Sequence, residues 1–206
     1  MERAKLLSEL NERERARLSS LSAEKGDCAS PVFGDGDINA DIVFIGEAPG
    51  ANEVQMGKPF VGKAGLQLDH MLTVCEIERK ALYVTNAVKY RTWTCTEMGS
   101  GKRAKNRTPS LAEIRDSAPM LKEELAIISP KVIVTLGNTP LKALEYISGD
   151  NLGSIGELHG KPYLLKGMSA VLFPLYHPAS GIYNRSLLPV MEDDLHKLKE
   201  LQIMED

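Results

Sequence analysis

Four short apolar runs constrain this chain more than anything else in it: DIVFIG (41–46), ALYVTNAV (81–88), KVIVTLG (131–137) and AVLFPLYHP (170–178). Each is short and rich in β-branched or aromatic residues, as strands buried on both faces are. Helical patterns separate them. Residues 65–74 carry Leu66, Leu68 and Leu72, and residues 139–147 and 188–202 supply two more helices. Ser110 and Glu113 form a capping box that opens a helix over 110–129, in which Pro119 predicts a kink or an interruption. Strands alternating with helices predict an α/β fold: a parallel sheet sandwiched by helices, with the working groups on loops at the carboxyl ends of the strands.

Residues 2–23 place Leu7, Leu10, Glu14, Leu18 and Leu21 near one helical face, which predicts an N-terminal helix over 1–25 packed on the body. The following GDCASPVFGDGDINAD is dense in Gly, Asp and Pro and predicts loop. Its Asp35, Asp37 and Asp41 lack calcium-loop spacing with a distal Glu, so they read as turn residues and no metal site is expected. With 206 residues and 43% hydrophobic content, the chain can bury one substantial core, and a single domain over 1–206 is expected. Cys28, Cys75 and Cys95 are widely spaced with no C-x-x-C, which fits free thiols in a reducing, cytoplasmic setting. No apolar run approaches a membrane span, and the first residues mix acids with bases, so neither a membrane partner nor an export signal is expected. A net charge of −3 argues against coating nucleic acid by bulk electrostatics and leaves room for a local basic patch.

The stretch GEAPGANEVQMGKPFVGKAG (46–65) contains GKPFVGKA, one residue short of a phosphate-binding loop. Such a loop leaves a strand directly and places a Ser or Thr after its Lys. Here the strand ends at Gly46 and the hydroxyl position is Ala64, so the likeness is accidental. What leaves the strand is GEAPG, whose glycines let backbone amides approach a ligand while Glu47 points a carboxylate into the same space. Phe60 follows, between Pro59 and a Gly62/Gly65 pair able to crowd a flat ring. At the ends of the other strands stand Asn86, which needs partners for its carboxamide, and His177, which Pro178 forces into an extended turn. Lys102, Arg103, Lys105 and Arg107 crowd the glycine-containing loop GSGKRAKNR. Taken singly, these are a strand hydrogen-bonder, a turn histidine and a solvated loop. Gathered at one sheet edge, the aromatic, carboxamide, histidine and carboxylate suit a planar base, and the basic loop suits its phosphates.

The motifs GEAPG…GKPFVGKAG, VTNAVKYR, PKVIVTLGNTPLKAL and LFPLYHPAS, in this order and spacing, resemble the uracil-DNA glycosylase superfamily, most closely its family 4 type, from about Val32 to the C-terminus. The resemblance implies a three-layer α/β/α sandwich around a four-stranded parallel sheet, and hydrolysis of the bond joining uracil to deoxyribose in DNA. It places Gly46 and Glu47 beside the glycosidic bond, Phe60 stacked on uracil, Asn86 on its Watson–Crick edge and His177 donating to O2. Ser180, Ile182, Tyr183 and Arg185 would contact DNA, with Ile182 or Tyr183 wedged into the duplex and Arg185 on phosphate. The partner is uracil-containing DNA and the chain is expected to act as a monomer.

Two departures follow from the same resemblance. Family 4 proteins usually bind an iron–sulfur cluster through four cysteines, and the matching positions here are Lys25, Cys28, Tyr90 and Ser117. One cysteine cannot hold a four-iron cluster, so no cofactor is expected. The basic loop also resembles an insert in a relative that traps uracil-DNA covalently through a histidine, and Asn106 occupies that position. The alternative to a hydrolase is therefore a protein that binds or traps uracil-containing or damaged DNA without turnover.

Overall fold

The computed structural model describes residues 2–25, 30–98 and 101–203. In chain order its elements are α1 (Glu2–Lys25), β1 (Asp35–Gly36), β2 (Ile42–Gly46), α2 (Ala51–Met56), α3 (Lys63–Val74), β3 (Leu82–Asn86), β4 (Trp93–Met98) and β5 (Gly101–Asn106). There follow α4 (Leu111–Ile128), β6 (Val132–Leu136), α5 (Asn138–Ser148), α6 (Ile155–Leu158), β7 (Tyr163–Leu164), β8 (Val171–Leu175), α7 (Pro178–Tyr183) and α8 (Leu188–Ile203).

The main sheet is mixed and six-stranded, in the order β1-β3-β2-β6-β8-β7. The four apolar runs are its parallel centre, β3-β2-β6-β8. The expected four-stranded parallel sheet is thus corrected at both edges, where β1 and β7 pair antiparallel. Each edge strand is two residues long, too short to leave a period in the sequence.

Successive strand residues point to opposite faces. Val43, Ile45, Tyr83, Ile133 and Leu172 face one core cluster with residues of α1, α4 and α5. Ile42, Phe44, Leu82, Val84, Val132, Val134 and Phe173 face the other, with Leu68, Met71 and Leu72 of α3 and Met191, Leu195 and Leu198 of α8. Helices therefore cover both faces of the sheet, which is why its central strands read as continuous apolar runs.

Leu7, Leu10, Leu18 and Glu14 form the buried stripe of α1. The carboxylate of Glu14 is matched by Arg17, which donates two 2.7 Å bonds to it and a third to Asp116 of α4. The side chain of Leu21 lies outside the described ones. Helix α4 opens on the expected Ser110–Glu113 capping box and runs unbroken through Pro119, where the sequence allows an interruption. Buried Ser117, Ala118, Met120 and Leu121 flank that proline, and packing against the sheet outweighs the one backbone bond it forfeits. The basic segment expected as loop is instead the second strand of a hairpin, paired in register from Trp93↔Asn106 to Met98↔Gly101. The aspartates read as turn residues behave so: Asp37 accepts from the Asn39 amide, while Asp35 and Asp41 face Lys58 and Lys131.

The chain passes from β3 on one side of β2 to β6 on the other. That switch opens a crevice at the carboxyl ends of the strands, the usual place for a ligand in such sheets. Register sets Gly46 beside Asn86 there.

Candidate active site

The crevice is a cleft of about 500 Å³, lined by Glu47, Phe60, Asn86, Thr92, Arg107, His177 and the loop from Ala48 to Glu53. Glu53 closes that loop. Its two carboxylate oxygens accept from the Gly50 amide at 3.0 Å and the Gly62 amide at 2.7 Å, joining the first residues of α2 and α3. The stretch that imitates a phosphate loop is the left-handed end of α2 at Gly57 (φ 67°), then Phe60, then the start of α3.

Phe60 is held at φ 55°, a conformation that costs an aromatic residue about 1–3 kcal/mol and persists only where its surroundings impose it. They do so through two glycines. A Cβ on Gly46 would stand 2.4 Å from the Phe60 ring and 2.5 Å from the Asn86 Oδ1, and one on Gly65 would meet the Phe60 carbonyl oxygen at 1.8 Å. Of the pair expected against the ring, Gly62 faces Glu53 instead, and Gly65 meets the Phe60 backbone and not its ring.

Asn86 is 3% exposed at the end of β3, where it lines the cleft. Its carboxamide offers both a donor and an acceptor to whatever enters there. His177 caps α7 and its Nδ1 accepts the Ala179 amide at 3.2 Å. The proton therefore sits on Nε2, which is left to donate. Burial pushes the His177 pKa below its ordinary value and keeps the ring neutral. The Phe60 and His177 rings lie 6.3 Å apart, tilted by 34°. Glu47 accepts a 2.6 Å bond from the Thr139 hydroxyl, supplied by the first turn of α5.

Around the mouth, Ile182 and Tyr183 of α7 line the cleft and are exposed, Tyr183 to 89%. Ser180 is half-buried and Arg185 exposed on the turn that follows. Lys105 is exposed on β5. Arg107 lines the cleft, but its guanidinium forks onto Glu113 with two 2.7 Å bonds, which hold the Glu113 carboxyl down at about 2. It is a cation anchored by a neighbouring carboxylate at the cleft. The Lys102 and Arg103 side chains lie outside the described ones. Asn106 accepts from Arg91 Nε at 2.7 Å and also lines the cleft.

Sequence reasoning missed Glu53, Thr139 and the exposed, cleft-lining Lys63. Glu53 serves amides three and nine residues away, a helix-start pattern that GANE at 50–53 carries in the sequence, whereas Thr139 serves Glu47 across the fold, which no local pattern reveals. Lys63 was hidden by the phosphate-loop likeness. Among the described residues no group of three or more His, Cys, Asp or Glu is placed to hold a metal ion. Tyr90 packs against one of the two core clusters, and the Ser117 hydroxyl is buried without a partner. Cys28 and the Lys25 side chain fall outside the described residues.

The sequence profile of the Uracil DNA glycosylase superfamily matches residues 33–200. The chain is 39% identical over 175 residues to a type-4 uracil-DNA glycosylase of Sulfurisphaera tokodaii, covering 84% of this chain and 74% of that protein. A type-4 uracil-DNA glycosylase of Saccharolobus solfataricus is 37% identical, over 82% and 74% of the two chains. A type-5 uracil-DNA glycosylase of Pyrobaculum aerophilum is 29% identical, over 78% and 70%. The matched span takes in every strand of the main sheet and the whole cleft, and with it the chain belongs to the uracil-DNA glycosylase superfamily.

Proposed function

We propose that this cleft hydrolyses the N-glycosidic bond of deoxyuridine in DNA, releasing uracil and leaving an abasic site for base excision repair. The chain is a uracil-DNA glycosylase by its similarity to type-4 enzymes over most of its length. The observation that carries the base-reading assignment is the 3% exposed Asn86 carboxamide, which lines the cleft together with Phe60. Uracil offers an acceptor at O4 and a donor at N3. The NH₂ and C=O of Asn86 answer both, while the Phe60 ring covers the base.

Breaking the glycosidic bond leaves negative charge on uracil and positive charge on the sugar. The Nε2–H of neutral His177 donates to O2 as that charge grows, with the Gly46–Glu47 backbone alongside. One such donor in a water-excluded site is worth about 3–4 kcal/mol of barrier. Glu47, steadied by Thr139, orients the water that attacks the sugar from the opposite face. Reaching the base requires flipping it out of the duplex, which costs a few kcal/mol. Stacking on Phe60 offsets that cost, as does insertion of Ile182 or Tyr183. Ser180, Arg185, Lys102, Arg103, Lys105 and Arg107 contact the DNA backbone in this reading.

The same reading has the chain work without an iron–sulfur cluster, as a cytoplasmic, single-domain monomer on uracil-containing DNA. The four positions at issue offer one thiol, an amine, a phenol and a hydroxyl, a donor set that does not fit a cluster held by four thiolates. The free Cys75 and Cys95 suit a reducing compartment.

The test is incubation with an oligonucleotide carrying a single uracil, followed by alkali. Scission at the uracil, and none in a thymine control, is expected. Tight binding without scission, or a covalent protein–DNA adduct, would overturn hydrolysis in favour of a binding or trapping protein.

A further inference from the structure

Directly behind Asn86 lies a fully buried ion pair that the chemistry above does not use. Lys89 is 1% exposed and Glu124 of α4 is 0% exposed, with Lys89 Nζ 2.6 Å from Glu124 Oε2. All three ammonium protons have acceptors: that carboxylate, the Thr85 hydroxyl at 2.6 Å and the backbone carbonyl of Asn86 at 2.7 Å. The carboxylate is satisfied in turn by the hydroxyls of Tyr83 at 3.0 Å and Thr85 at 3.1 Å. Two features say that the pair exists for geometry. Buried ion pairs contribute little net stability against well-packed apolar replacements. The edge strand β1 also stops at Val84, so the outer side of β3 beyond it gets its donor from Lys89 rather than from a neighbouring strand.

We infer that Lys89 and Glu124 are positioning residues for base recognition: the Lys89 ammonium pins the Asn86 peptide and thereby aims the Asn86 carboxamide into the cleft. The other side of the same turn is pinned by Ala87 N to Gly46 O at 2.9 Å and Val88 N to Glu47 O at 3.1 Å. Asn86 is thus held from both flanks. Releasing one flank lets its peptide rotate, and a displacement near 1 Å at a reacting group can cost about 100-fold in rate.

This inference rests on the proposed uracil-reading role of Asn86, and the test separates the two. Lys89→Met leaves the Glu124 carboxylate buried without its cation and lowers Tm. Lys89→Met combined with Glu124→Leu removes both charges and recovers part of that loss. We expect the double variant to be more stable than Lys89→Met and to keep wild-type affinity for a uracil-free duplex, yet to release uracil about 10- to 100-fold more slowly than wild type in single turnover, assayed well below its Tm. Tyr83→Phe, which takes a bond from Glu124 without touching the Lys89–Asn86 bond, should lower Tm and leave the rate unchanged. A double variant that is stable and as fast as wild type overturns the inference. If the double variant does not fold, Lys89→Met alone, assayed well below its own Tm, carries the same comparison. A wild-type protein that releases no uracil overturns the proposed function instead.

Discussion

At the scale of single residues, His177 shows how a backbone bond selects chemistry. Because Nδ1 accepts the Ala179 amide, only Nε2 can face the cleft with a proton, and burial keeps the ring uncharged. His177→Ala should slow single-turnover uracil release by about 100- to 1,000-fold while leaving duplex affinity unchanged, since its donation strengthens only as charge develops on the base. The lowered pKa also sets a direction with pH. The unfolded histidine titrates near 6.5, above its folded value. This contribution to stability is therefore complete above pH 6.5 and is lost as acidification protonates the unfolded chain first. An NMR titration should place the His177 midpoint below 6.5. A midpoint above 6.5 would contradict the neutral-donor account. Asn86 and His177 were legible in the sequence because each stands where a strand should be apolar or finished. Thr139 was not, since its role depends on Glu47 lying across the cleft from α5.

At the scale of elements, central strands and long helices were readable to within a few residues, because burial on both faces writes an apolar run. The basic strand of the hairpin reads as loop in the sequence, for GKRAKN carries few of the apolar residues that mark buried strands. The base of this two-stranded ribbon, at Asn106 and Arg107, lines the cleft. Replacing Lys102, Arg103, Lys105 and Arg107 with Ala should weaken binding equally for uracil-containing and control duplexes. The plot of log affinity against log salt should flatten by about 0.9 for each phosphate that the variant no longer neutralises. Because Arg107 is bound by Glu113, its share of that change should be the smallest, and Arg107→Ala should act on stability instead. An unchanged salt slope for the fourfold variant would make the hairpin a bystander.

At the scale of the whole molecule, one sheet does all the gathering. Strands β2, β3, β6 and β8 end side by side, and each delivers one part of the site at or just beyond its carboxyl end: Gly46 with Glu47, Asn86, the Gly137 turn before Thr139, and His177. The alternation of strands and helices made that gathering foreseeable. The edge strands, the glycine contacts around Phe60 and the buried Lys89–Glu124 pair were not, being contacts between segments distant in sequence. The central claim is that the fixed carboxamide of Asn86 chooses the base. Cytosine presents a donor at N4 and an acceptor at N3, the reverse of uracil, and leaving buried polar groups unpaired can cost a factor of about 10⁴ in specificity. The most direct measurement is single-turnover base release by wild type and Asn86→Asp from duplexes that differ only in uracil or cytosine at one position. The account predicts rapid, uracil-only release by wild type, and for Asn86→Asp the loss of most uracil release with weak release of cytosine. Uracil release by Asn86→Asp at the wild-type rate would contradict it and return Asn86 to a structural place in its strand.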